Sequence, residues 1–302
     1  MSCCCCPTPW FSADAVFLDR DNRANDQLLV LDVPTGNTLL RTPGLDFDNA
    51  TGIRIMAGAH PTCCCFGWEV GYLGLHEWDA TATAAGQVGL PGALGNQFNA
   101  ANAIQIRYES ELHSGELNRV RSAGCAENIY LDWIYGLRYV RLEEELLIRS
   151  IFQPVGAAPA MNDYRIETEN DLFGGQIGFR LREGDCCRLV RWDITGKAGV
   201  YANVTEQSTS IQLLAPGNNV AIRTAEADDT KAAFVGELHA NVRVPITCSW
   251  HLQAGYHLLW LEGVALAPDQ LDFTNTPLSS TSINTDGGAF FHGATVGVYA
   301  QW

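Results

Sequence analysis

Along this chain apolar and polar residues alternate with a period of two, and the alternation recurs from end to end. From Trp250 the even positions are Trp250, Leu252, Ala254, Tyr256, Leu258 and Trp260, and the odd positions are His251, Gln253, Gly255 and His257. Phe234, Leu238, Ala240, Val242, Val244 and Ile246 alternate with Glu237, His239, Asn241 and Arg243. Val190, Trp192, Ile194, Val200 and Val204 do so with Arg191, Asp193, Lys197 and Asn203. The same holds for Leu131, Trp133, Tyr135, Leu137 and Tyr139 against Asp132, Gly136 and Arg138, for Phe66, Trp68, Val70 and Tyr72 against Glu69, and for Val296, Val298, Ala300 and Trp302 at the end. Successive side chains of a strand point to opposite faces, so each stretch reads as a strand with one apolar face.

We expect about ten strands, at 10–18, 50–60, 66–78, 104–120, 128–150, 165–183, 188–206, 231–246, 250–265 and 289–302 (eight to twelve is the range). Most exceed the usual strand length and meet the need of a tilted transmembrane strand. Long connections (19–49, 79–103, 151–164, 207–230, 266–288) alternate with short ones (61–65, 121–127, 184–187, 247–249). Long outer loops and short periplasmic turns mark an up-and-down antiparallel outer-membrane β-barrel. No linker, repeat or composition break divides residues 1–302, so a single barrel domain is expected.

Composition narrows the choice. Hydrophobic residues make up 47% of the 302, which excludes global disorder. No run approaches 18 apolar residues, and the stretch around His257–Leu261 is broken by Glu262, so no transmembrane helix is expected. A net charge of -15 argues against nucleic acid as a partner. Residues Met1–Cys6 lack the basic and apolar regions of a signal peptide, and an export signal removed or missing from this chain is the expectation.

In a soluble barrel the apolar face points inward, whereas in a membrane barrel it meets lipid. Aromatics near the ends of the apolar stripes (Trp68 and Trp78, Trp250 and Trp260, Trp133 and Tyr139) favour the membrane sense, as girdles would. The closing strand ends on Trp302, the kind of C-terminal aromatic that barrel-assembly machinery reads. Outer-membrane lipid and that machinery are therefore the expected partners, with ions or small solutes as further ones.

The layout resembles the outer-membrane family of putative beta-barrel porins numbered seven. The matching stretches are Trp10-Phe11-Ser12-Ala13-Asp14, Tyr135-Gly136-Leu137-Arg138-Tyr139, Gly255 through Ala265, and Phe291-His292-Gly293-Ala294-Thr295-Val296-Gly297. The resemblance spans nearly the whole chain. It implies a barrel in a bacterial outer membrane and supplies no catalytic residues.

The polar faces give the expected lumen lining: Arg54, Glu69, Arg107, Glu109, Asp132, Arg138, Arg180, Arg191, Asp193, Lys197, Glu237, His239, Arg243 and His257. Side chains can fill the bore of so small a barrel. Mixed charges there must pair or be hydrated. The expectation is a porin-like or structural envelope barrel with a narrow, charged lumen, plugged by salt bridges or open to small solutes. A hairpin centred on Cys248 pairs positions summing to 496, so His239 faces His257, Glu237 faces Leu259 and Arg243 faces Gln253. Two facing histidines and a carboxylate could hold a metal, but polar lining is the commoner role, and no metal or cofactor is expected. An enzyme is not expected either. Ser110, His113 and Ser114 are near in sequence, but adjacent strand residues diverge, and no GxSxG motif occurs. A hydrolase at the barrel rim and an adhesin binding surface polymers are the alternatives.

Eleven cysteines remain: Cys3, Cys4, Cys5, Cys6, Cys63, Cys64, Cys65, Cys125, Cys186, Cys187 and Cys248. All fall before strand one or in the short turns, at the predicted periplasmic rim. Disulfides between turns are expected in that oxidising compartment.

Overall fold

The structure is a computed structural model that describes residues 8–61, 66–126, 128–153, 156, 159–183, 189–215 and 218–302. Its strands are β1 (Thr8–Asp21), β2 (Leu28–Asp32), β3 (Thr38–Arg41), β4 (Ala50–His60), β5 (Phe66–Gly89), β6 (Ala101–Ala126), β7 (Ile129–Phe152), β8 (Ala160–Glu183), β9 (Arg191–Ala215), β10 (Asn218–Pro245), β11 (Trp250–Val264) and β12 (Gly287–Gln301). Ten of them form a closed antiparallel ring, β1-β4-β5-β6-β7-β8-β9-β10-β11-β12. The last strand returns to the first, with Trp10 opposite Gln301 and Asp21 opposite Phe290. The number of ring strands is the one expected from the alternation. The β2–β3 hairpin lies within the predicted first long loop and attaches to β5 through Leu31–Gly89 and Asp32–Val88.

The apolar faces point outward on the lower part of the ring. Trp68, Trp133, Tyr135, Leu137, Phe173, Ile177, Val200, Trp250 and Leu252 are all exposed, Leu137 by 69%. Water would make such a band costly, whereas lipid makes it the stabilising face. Trp78 departs from the expected girdle. A bulge between Leu75 and Trp78 reverses the strand's parity. The indole is thereby fully buried inside, where its Nε1–H donates to the Leu18 carbonyl at 2.9 Å.

Six strands run much further than the alternation showed. β5 to β10 have 24 to 28 residues each, about 80 Å or more at ~3.3 Å per residue, well over twice the ~30 Å hydrocarbon layer. Three expected long loops are therefore half strand or more. The connection expected at 79–103 shrinks to 90–100, that at 151–164 to 153–159, and that at 207–230 to 216–217. Strand there was missed because both faces are polar: Gln207 and Thr209 point in, Ser208 and Ser210 point out, and period two has no hydropathy contrast to carry it. The strict alternation of long and short connections is corrected accordingly.

Above the lipid band the sense of the faces reverses. The outward row of β7 becomes Arg141, Glu143, Glu145 and Arg149, while the inward row becomes Leu142, Leu146 and Ile148. Inside lies an apolar core of Leu29, Val30, Leu90, Leu94, Phe98, Ile104, Ile106, Tyr108, Leu146, Tyr164 and Ile166. The barrel is thus inside out in the membrane and conventionally packed beyond it.

These boundaries make a test. Leu137→Arg, within the lipid-facing band, is expected to destabilise the protein by about 2–4 kcal/mol. Ser208→Arg, outward on the same barrel but beyond the band, should stay within about 0.5 kcal/mol. Reversible denaturant titrations in lipid vesicles measure both, and equal costs would refute the boundary.

Candidate functional site: the ion-paired lumen

The inward positions of the lower ring converge on a layered polar network. At the end with the short turns, Arg182 Nε donates to Asp132 Oδ2 at 2.9 Å and Arg243 Nη2 pairs with Asp193 Oδ1 at 2.5 Å. Arg180 Nη2 donates to Glu69 Oε2 at 2.8 Å, and Asn118 donates to the other Glu69 oxygen at 3.0 Å. Trp10 stacks with both His60 and Tyr299, whose hydroxyl lies 2.8 Å from His60 Nε2. One layer up, Glu237 accepts from Arg138 at 2.5 Å and lies 3.2 Å from Lys197 Nζ. Lys197 also donates to Glu116 at 2.6 Å. Asp14 pairs with Arg54 at 3.7 Å and accepts from Gln253.

These bonds cross the bore between distant strands: Arg138 on β7 reaches Glu237 on β10, and Arg180 on β8 reaches Glu69 on β5. The space left among them is small, with cavities of about 30 and 10 Å³. That is room for little more than a water molecule.

Above the ion pairs the bore is filled by apolar side chains, among them Leu18, Leu73, Leu75, Trp78, Leu112, Val140, Leu172, Leu259, Leu261 and Phe291. A buried ion pair interrupts them. Arg20 bonds Glu144, which also accepts from the Tyr108 hydroxyl at 2.7 Å and from the Ala267 N–H at 2.8 Å. Ala267 belongs to the connection 265–286, whose first part, 265–273, folds into the mouth of the barrel while 274–278 stay exposed. Ala265 exchanges hydrogen bonds with the Asn170 side chain at 2.7 and 2.9 Å. Asp269 accepts from the Asn25 N–H at 2.7 Å, and Arg223 Nη1 donates to the Asp272 carbonyl at 3.0 Å. Burial raises the Asp269 carboxyl, an effect that the Asn25 bond reduces and nearby Glu144 reinforces. For Asp272 burial also pushes upward, but hydrogen bonds from Thr274 and Ser280 and the Arg223 charge outweigh it and hold the group below its ordinary value. The segment is a cap over the ion-paired lumen.

Most of the expected lining is where the alternation placed it. Arg54, Glu69, Asp132, Arg138, Arg180, Asp193, Lys197, Glu237, His239 and His257 are buried inside, and Arg191 and Arg243 stand half-buried at the inner rim. Arg107 and Glu109 are corrections. They pair with each other on the outer surface, where the Arg107 side chain is 61% exposed. Their strand turns Ile106, Tyr108 and Ser110 inward. These positions lie beyond the lipid, where charge marks the outside. Sequence reasoning missed the contributions of Glu116, Gln176 and Tyr108 to the network, although Glu116 shares the parity of inward Ser114 and Asn118.

The expected hairpin register is observed, with His239 opposite His257, Arg243 opposite Gln253 and Glu237 opposite Leu259. The two rings lie 5.2 Å apart. Both nitrogens of His239 are engaged, with Thr295 and Asn241 at 3.2 Å each, so this histidine is polar lining and offers no free ligand atom. Cys3, Cys4, Cys5, Cys6, Cys63, Cys64, Cys65, Cys186 and Cys187 lie outside the described residues, as does the Cys125 side chain. Cys125 itself stands at the end of β6 rather than in a turn. Cys248, in the β10–β11 turn, is free and exposed, so the expected disulfides find no support there.

The model of the family described as Putative beta barrel porin-7 matches residues 15–302. The chain belongs to that family. With the outward apolar band, porin-7 membership supports a bacterial outer membrane as its setting. Among solved structures, the outer-membrane protease OmpT of Escherichia coli is 10% identical, with 98% of this chain and 97% of that one covered and a TM-score of 0.49. A Pseudomonas aeruginosa FadL homologue is 8% identical, with 98% and 90% covered and a TM-score of 0.29. No curated protein matches the chain. Neither structural likeness is strong enough to transfer a role to this porin-7 member.

Glu237→Ala would leave Arg138 without its carboxylate in a water-poor layer. A loss of about 3–5 kcal/mol is expected. The paired change Arg138→Met with Glu237→Leu removes both charges and should recover most of that loss. The temperature at which the folded band disappears on unheated gels reports both. Equal losses in the single and paired variants would refute the paired-charge account.

Proposed function

We propose that this barrel is a closed, structural component of the outer membrane and does not serve as an open pore. The observation that carries the reading is the layer in which Arg138, Lys197, Glu116 and Glu237 bridge across the bore with almost no free volume beside them. Conduction needs a continuous hydrated path. Here a solute would have to break several mutually paired charges and then pass an apolar layer under the 265–286 cap. Each step is costly in a low-dielectric interior.

A non-enzymatic role is part of the same proposal. The described histidines are either sealed in the lumen (His60, His239, His251 and His257) or on the outer surface (His76, His113 and His292). At the upper mouth the inward positions are mixed, with Ile104, Ile106, Leu146, Ile148 and Ile166 beside Ser150, Asn162, Tyr164 and Thr168, and no described histidine is buried among them. The C-terminal strand, with Trp302 beside Pro9 at the seam, is proposed as the segment that assembly machinery handles.

Planar-bilayer recording tests the reading. The wild-type protein should show no steady conductance. A variant without residues 265–286 and carrying Arg138→Ala, Lys197→Ala and Glu237→Ala should conduct. Discrete open steps from the wild type at low voltage would overturn the proposal.

A further inference from the structure

On the outer surface of β5 and β6, immediately above the lipid-facing band, three ligand-type side chains converge. His76 Nδ1 and His113 Nε2 each lie 3.9 Å from Glu111 Oε2, and all three atoms fall within 4.8 Å of one another. We propose that His76, Glu111 and His113 form a binding site for a divalent transition-metal ion of the zinc or copper type. The inference is independent of the closed-lumen reading.

The local fold builds this cluster. Leu75 faces Leu112 and Trp78 faces Ser110, so residues 76 and 77 both stand opposite Glu111. His76 keeps the outward side of Tyr72 and Gly74, which puts it beside Glu111 and diagonal to His113, the two rings meeting edge-on at 4.9 Å, and the extra residue of the bulge falls after it. The next shell is also in place. The Tyr72 hydroxyl lies 2.9 Å from His113 Nδ1. If Nδ1–H donates to that oxygen, Nε2 keeps its lone pair toward Glu111, the tautomer a metal requires. Tyr72 reaches His113 by lying across Gly74. A Cβ at that position would sit 2.6 Å from the Tyr72 hydroxyl.

The donor set is right for the ion class. Two imidazoles and one carboxylate bind zinc or copper at about 2.0–2.2 Å and leave a position open. Ligand atoms of a tetrahedral ion with such bonds lie about 3.4 Å apart, so the 3.9 Å pairs must close by about half an ångström and any pair nearer the 4.8 Å limit by about one more. The side chains have the freedom to do so, since His76 is 57% and Glu111 41% exposed. Arg141, opposite His113 in the register, is turned to Glu143 and to Glu169 at 2.7 Å, so its charge is occupied elsewhere. His292 provides an internal comparison. It has the same tyrosine partner, with the Tyr256 hydroxyl at 2.9 Å, and one carboxylate, Asp21 at 3.8 Å, but no second histidine is grouped with it among the described residues.

Copper(II) titration of the full chain in detergent tests the site. The cysteines are first alkylated so that thiolates do not compete. One saturable equivalent is expected, with an electron paramagnetic resonance spectrum split by two nitrogens. The double variant His76→Ala, His113→Ala should lose that signal while keeping the heat-modifiable mobility of a folded barrel. Tyr72→Phe should weaken binding roughly tenfold, and His292→Ala should leave it unchanged. Absence of saturable binding to the wild type, persistence of the two-nitrogen signal in the double variant, or its loss in His292→Ala would each overturn the proposal.

Discussion

Hydrocarbon offers no partner for a backbone N–H or C=O, and this requirement governs the molecule. Every spanning strand must be paired on both sides, so the sheet must close. The β1–β12 seam meets that requirement, with twelve residue pairs from Trp10–Gln301 to Asp21–Phe290. Closure at ten strands fixes a bore narrow enough for side chains to span. Narrowness in turn dictates the interior. Arg138, Lys197, Arg180 and their carboxylates are too confined to be hydrated separately, so they satisfy one another across the bore.

The ion-paired layer and the cap solve two different problems. Charges deep in the ring are expensive alone and tolerable only as a network. Glu237 with Arg138 and Lys197, and Glu69 with Arg180 and Asn118, show how each carboxylate gains more than one partner. Further out, the strands leave the membrane and their inner faces turn apolar. That surface needs a cover, and residues 265–273 and 90–98 and the β2–β3 hairpin provide it from within. The mouth is therefore packed like the core of a soluble β-protein.

Much of this was legible in the chain. Alternation carried the ring strands, the outward sense of Trp68, Trp133 and Trp250, and the pairing of His239 with His257. The signal weakened wherever its physical basis lapsed. Beyond the lipid, Gln207–Ser210 face polar surroundings on both sides, so period two disappeared although the strand continued. At Arg107 and Glu109 charge indicated the outside, the reverse of its meaning lower on the same sheet. At Trp78 a single extra residue shifted the face of the residues that follow, and one missing ladder pair leaves no trace in hydropathy.

The amino-acid sequence alone determined that this chain forms a closed antiparallel barrel with lipid outside, because hydropathy with period two is a local property that each strand records for itself. Tertiary structure alone decided that ion pairs span the bore, that residues 265–273 turn inward, and that His76, Glu111 and His113 meet. Those outcomes depend on distances and register between strands, and no local pattern encodes either.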